Sequence, residues 1–113
     1  MPVDFRFIQG LKFFNEKEFF ECHEVIEELW LETPSGDQYR DLYKGVIQAA
    51  AAIYQWRRGI FSGADGLFKT SVVYLRKYVP VALGLNVEKM VRDLQDFFKE
   101  KIEEAMPVLE FET

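Results

Sequence analysis

The sequence predicts an all-α fold, a compact bundle of about five amphipathic helices joined by short connections. Three observations lead there. Apolar residues recur at three- and four-residue spacing over nearly the whole chain, and alternating or β-branched runs are scarce. Proline, glycine and small polar residues gather at only a few points, where helices would stop. A chain of 113 residues with a hydrophobic share of 49% can fill one core, so a single helical domain over residues 1–113 is expected. Phe 11, Tyr 5 and Trp 2 make 16% of it aromatic. Rings must therefore supply much of the buried area, and the core should be bulky and sensitive to truncation.

The elements follow in order. Asp4 can cap a first helix with Phe7, Ile8, Leu11 and Phe14 on one side, ending near Phe14. Asn15, with Glu18 three residues on, resembles a capping signal for a second helix from Glu16 to about Glu32, stopped by Thr33-Pro34-Ser35-Gly36. A third helix over Gln38 to Arg58 contains the run Ala49 to Ala52, which favours helix and lets neighbours approach closely, so it reads as central. Gly59 suits its C-terminal cap, and Ser62 with Asp65 suits the start of a fourth helix that reaches Tyr78. Val79-Pro80-Val81 ends that helix. After a loop to Leu85, Asn86 can cap a fifth helix whose stripe is Val87, Met90, Val91, Leu94, Phe97, Phe98, Ile102 and Ala105, with Pro107 beyond it and loose final residues.

Charge and cysteine usage narrow the partners. Lys+Arg 14 against Asp+Glu 19 gives a net charge of -5, and the average field repels phosphate backbones and anionic lipid. Nucleic acid is not an expected partner; Arg57, Arg58, Lys69, Arg76 and Lys77 read as a solvated face. The single Cys22 has no internal disulfide partner, and MPVDFRFIQGLKFF lacks the features of a signal peptide, so the cytoplasm is the expected compartment. No apolar run approaches the roughly 20 residues that span a bilayer, and membrane insertion is not expected.

The informative segment is FFECHEVIEELW, residues 19–30. At about 100° per residue its acids divide into two groups. Glu21, Glu24, Glu28 and Glu32 share a solvent face. His23 and Glu27 lie between Phe20 and Trp30 and interrupt an otherwise apolar arc that includes Cys22, which reads as buried and inert. Four residues apart, His23 and Glu27 are neighbours on the helix surface and could form a proton-transfer couple or two metal ligands. The metal case lacks a second histidine, and HEVIE is not HExxH. Asp41 of another helix would have to complete the site, so no metal or other cofactor is expected. The plain alternative is a satisfied hydrogen-bond network joining two helices through Gln48, Tyr54 or an arginine. Gln48 itself groups with Asp41, Lys44 and Gln55 in a polar strip that reads as exposed, unless the third helix is central.

FNEKEFFECHEVIEELW, followed by KGVIQAAAAIYQWRRG and SGADGLF, resembles the domain of unknown function 309 family over most of the chain and in the same order. The resemblance implies a small all-helical domain, found chiefly in prokaryotes, with no established activity. On it, His23, Glu24, Glu27 and Trp30 match the second-helix motif, and Gly45, Gln48 and the alanines match the third. Glu24 thereby joins the candidates although the wheel places it outside. Ile60 stands where the family commonly has asparagine.

Three functional readings follow. The first is a non-catalytic domain that binds a small ligand or protein partner at His23, Glu24, Glu27, Trp30 and Gln48. The second is a hydrolase using Glu27 or Glu24 as general base, with or without a metal. The third is a structural or self-associating module, since Phe5, Phe13 and Phe111 exceed what so small a core can hold.

Overall fold

Helix α1 (Phe5–Asn15) begins where Asp4 accepts the Arg6 backbone N–H at 2.9 Å, as its capping position predicts. The computed structural model describes residues 3–112. It continues with α2 (Phe19–Glu32), α3 (Arg40–Arg57), α4 (Phe61–Leu75), a 3-10 turn at Arg76–Tyr78, strands β1 (Val81–Ala82) and β2 (Leu85–Asn86), α5 (Val87–Glu100) and a 3-10 turn at Glu103–Ala105. The all-α expectation holds, with one small hairpin added. Helix α3 is central, packing on α2 along one side and α4 along the other, while α1 lies on α2 and α5 on α4. Its small residues permit this: Ala49, Ala50 and Ala52 are fully buried. A Cβ at Gly45 would stand 2.8 Å from Leu75 of α4, so the two backbones are as close as glycine allows.

Helix ends explain where the predicted boundaries shift. Helix α1 closes with the Glu18 N–H on the Phe13 carbonyl and the Lys17 N–H on Phe14, a paired cap that puts Lys17 at φ 62. That left-handed residue delays α2 to Phe19, and Asn15 does not cap it. The same cap ends α3 with Gly59 at φ 79, as predicted: the Ile60 N–H reaches Gln55 and the Gly59 N–H reaches Trp56. Helix α4 starts at Phe61 with Ile60 at its capping position, so Ser62 lies inside the helix and does not cap it. Helix α5 is fully capped, because Pro80 accepts the Val87 and Glu88 N–H groups and Asn86 accepts that of Lys89.

The chain beyond α5 departs from expectation. Lys101 takes φ 58 and ends the helix, so Ile102 and Ala105 fall outside its stripe and are exposed. Residues 106–112 are not loose. Met106 and Leu109 are buried, Leu85 bridges Phe111, and the Glu112 N–H reaches the Gly84 carbonyl. The Asn15 side chain accounts for the error: it donates to Leu109 O at 2.9 Å and accepts the Leu109 N–H at 2.6 Å. A half-buried amide used this way is unavailable to α2. Thr113 lies outside the described residues. No helix among them is long and apolar enough to cross a membrane.

The outward acids of α2 have a structural task. Arg6 of α1 donates to both oxygens of Glu32, at 2.9 and 3.2 Å, and to Glu28 at 3.2 Å, while its Nε and Nη2 hold Asp4. The Arg6 guanidinium, by hydrogen bonding and charge, holds Asp4 below its ordinary pKa of 3.8 and Glu32 below 4.5. A lowered folded pKa stabilises the fold above the unfolded value and loses that contribution as pH falls through the folded one. We therefore expect native protein to lose stability from about pH 7 to about pH 3 more steeply than Arg6→Gln. Urea midpoints at the two pH values measure it, and parallel losses would show that the clasp contributes nothing.

Candidate functional site

Two contacts fix the antiparallel register of α2 against α3. The Phe20 ring lies 5.9 Å from that of Tyr54 at one end, and at the other Arg40 Cζ and Lys44 Nζ each lie 4.2 Å from the Trp30 ring centroid. At about 1.5 Å of rise per residue, this register brings Gln48 to the level of Ile26, between His23 and Glu27. Along this seam Trp30 thus faces α3 directly and Gln48 stands at the level of His23 and Glu27, whereas Glu24 lines a recess with Phe13 and Val25 on the α1 side of α2. Asp41, offered as a further metal donor, is tied to Lys77 instead. Among the described residues no three His, Cys, Asp or Glu side chains form a group able to hold a metal.

Within the seam, both imidazole nitrogens face carboxylates. His23 Nε2 is 3.4 Å from Glu27 and Nδ1 is 3.4 Å from Glu24. His23 and Glu27 are half-buried, with side-chain exposures of 29% and 40%; Glu24 is more open at 57%. The wheel correctly set Glu24 outside, yet its carboxylate bends back to the imidazole, which angular position alone does not reveal. Neither approach is a hydrogen bond, and these three side chains make none among the described residues.

Trp30 and Gln48 carry the unusual feature. Trp30 Nε1 and Gln48 Oε1 are buried with no hydrogen-bond partner, and Gln55 Oε1, seven residues along the same face of α3, is the same. An indole N–H can only donate and an amide oxygen can only accept, so each is a committed group left unpaired. The exposed reading of Gln48 fails at its oxygen because α3 is central. The cations on Trp30 were not predicted. Arg40 is steadied there by its Nε donating to Thr33 O at 3.1 Å, and a basic pair four residues apart at the start of α3 was the available signal. Cys22 is fully buried, and burial pushes its thiol pKa well up, away from nucleophilic use.

These features define a small helical-bundle protein in which a His-Glu-Trp helix faces an alanine-rich one. The chain belongs to the domain of unknown function (DUF309) family, whose sequence pattern matches residues 7–67, from α1 into α4. The uncharacterized protein YpuF of Bacillus subtilis (strain 168) is 32% identical over 92 residues, covering 80% of this chain and 52% of the relative. The chain therefore spans about half the length of that relative.

Proposed function

We propose that this protein is a non-catalytic helical domain of the cytoplasm that binds a small ligand or a partner protein at the α2–α3 seam. The carrying observation is the pair of buried, unpartnered atoms, Trp30 Nε1 and Gln48 Oε1, beside a solvent-accessible His23–Glu27 pair. A purely structural network would pair such atoms internally, because each buried group left unmade costs about 1–3 kcal/mol. Trp30 and Gln48 as whole residues are only partly buried, so each side chain also borders solvent. A ligand that carries an acceptor for the indole N–H and a donor for the amide oxygen satisfies the two.

The test is a thermal-shift screen of native protein alongside His23→Ala and Glu27→Ala. A ligand at the seam is expected to raise the native melting temperature and lose about tenfold or more in affinity with either change. Binding indifferent to both changes would move the site elsewhere. General-base catalysis by Glu27 or Glu24 is the second reading, supported by the 3.4 Å approach of each carboxylate to imidazole. It requires turnover of a hydrolysable ester that Glu27→Gln or Glu24→Gln abolishes. The net charge of -5 supports leaving nucleic acid out. Of the rings expected to drive self-association, Phe13 and Phe111 are instead partly buried against the core, so self-association is proposed separately through Phe5, 71% exposed, with Leu31, 68% exposed.

A further inference from the structure

A second recess lies apart from the seam and shares none of its residues. It is a cavity of about 400 Å³ between the start of α1, the α2–α3 turn and the β1–β2 turn, a size suited to a small molecule. Leu29 and Leu83 supply an apolar wall, and Asp4, Asp37, Tyr39 and Tyr43 supply the polar groups. Tyr43 is 8% exposed, with its ring packed on Phe7, 5.5 Å between centroids. Its hydroxyl makes no hydrogen bond among the described residues. Burial pushes the Tyr43 phenol pKa up, and the Asp37 and Asp4 charges push it the same way while Arg6 opposes them. Tyr43 lines the cavity, and its unpaired hydroxyl is not sealed from solvent, so the hydroxyl end is the end presented there.

The charges there do not cancel. Asp4 is held by Arg6 through Nε and Nη2 at 3.2 Å each. Asp37 uses Oδ1 to accept the Tyr39 backbone N–H at 2.8 Å, and its carboxylate has no cationic partner among the described residues. One uncompensated carboxylate and one unpaired phenol oxygen are therefore presented beside two leucines. Anions are repelled by this arrangement. A hard divalent ion wants six or more oxygen ligands, which one free carboxylate does not approach. An ammonium group suits it, because it carries charge opposite to Asp37, three donors for the two oxygens, and a stem that can cover apolar surface.

We propose that this recess binds a small primary amine, its ammonium against the Asp37 carboxylate and the Tyr43 hydroxyl and its alkyl chain on Leu29 and Leu83. The test is an NMR titration of the whole chain with n-butylammonium, with butyrate and 1-butanol as controls of equal length. Saturable shifts at Leu29, Asp37, Tyr43 and Leu83 are expected with the amine, none with butyrate, and at least about tenfold weaker ones with the alcohol. Asp37→Asn keeps the side-chain oxygen that accepts the Tyr39 N–H, so it should fold normally and bind about tenfold more weakly. Tyr43→Phe keeps the ring and should weaken binding severalfold. Equal response to butyrate or butanol, undiminished binding by folded Asp37→Asn, or shifts centred on His23 and Trp30 would each overturn the assignment. The last outcome would place the amine in the seam, so a failure here is separable from a failure of the proposed function.

Discussion

Replacing Phe97 by alanine is expected to cost about 3–5 kcal/mol, enough to lower the melting temperature by about 10–20 °C. Phe97 is fully buried and ties α5 to α3 directly and to α4 through Phe98. Its ring meets Trp56 of α3 edge-on at 5.0 Å and Phe98 at 5.1 Å, and Phe98 stacks on Phe68 of α4 at 4.6 Å. Truncation removes the transfer energy of a ring, leaves a void and ends two aromatic pairings worth about 0.5–1.5 kcal/mol each. A domain of this size is stable by only about 5–15 kcal/mol, so the variant should be marginal. Urea unfolding followed by tryptophan fluorescence measures it. A cost below about 1.5 kcal/mol would mean that α5 is not anchored through this ring.

Gly45→Val should cost about 3 kcal/mol, and Gly45→Ala gives the sharper test because two effects compete with opposite sign. Glycine inside a helix is about 1 kcal/mol less favourable than alanine. If Gly45 had no packing role, alanine would therefore stabilise the protein. Against this, the new Cβ would meet Leu75 at 2.8 Å and the Tyr74 Cβ at 3.2 Å. Leu75 is fully buried and has little room to turn. We expect destabilisation to win. In a double-mutant cycle, Leu75→Ala should make Gly45→Val less costly by at least about 1 kcal/mol, since it removes the atoms that clash. A stabilised Gly45→Ala protein would show that α3 and α4 can separate freely.

What could be read in advance followed from period and punctuation. The five helices announced themselves because each keeps an apolar stripe, and Asp4, Gly59 and Asn86 marked their ends through local chemistry. The hairpin was hidden because its turn uses Leu83 at φ 48 followed by Gly84 at φ 79, and leucine is not a residue that signals a left-handed turn. Lys17 hid the start of α2 and Lys101 the end of α5 in the same way. Asn15 looked like a cap because its side chain can serve one; its true partner, Leu109, is 94 residues away.

The candidate site divides along the same line. His23 and Glu27 were legible because a polar pair in an apolar arc violates the helical pattern. The orphaned atoms of Trp30 and Gln48 were not, since burial of one nitrogen or oxygen depends on the neighbouring helix. The recess around Tyr43 was still less accessible to reading. Its walls come from α1, α2, α3 and the hairpin, and Tyr43 alone fits the apolar stripe of α3.

The sealed thiol of Cys22 makes the protein its own clock. A reagent in solution can reach that sulfur only when the packing of α2 opens, so with excess reagent under conditions of fast reclosing the labelling rate reports the fraction of molecules open at any moment. No engineered reporter is needed, and every substitution discussed above can be ranked by the same reaction on otherwise native protein.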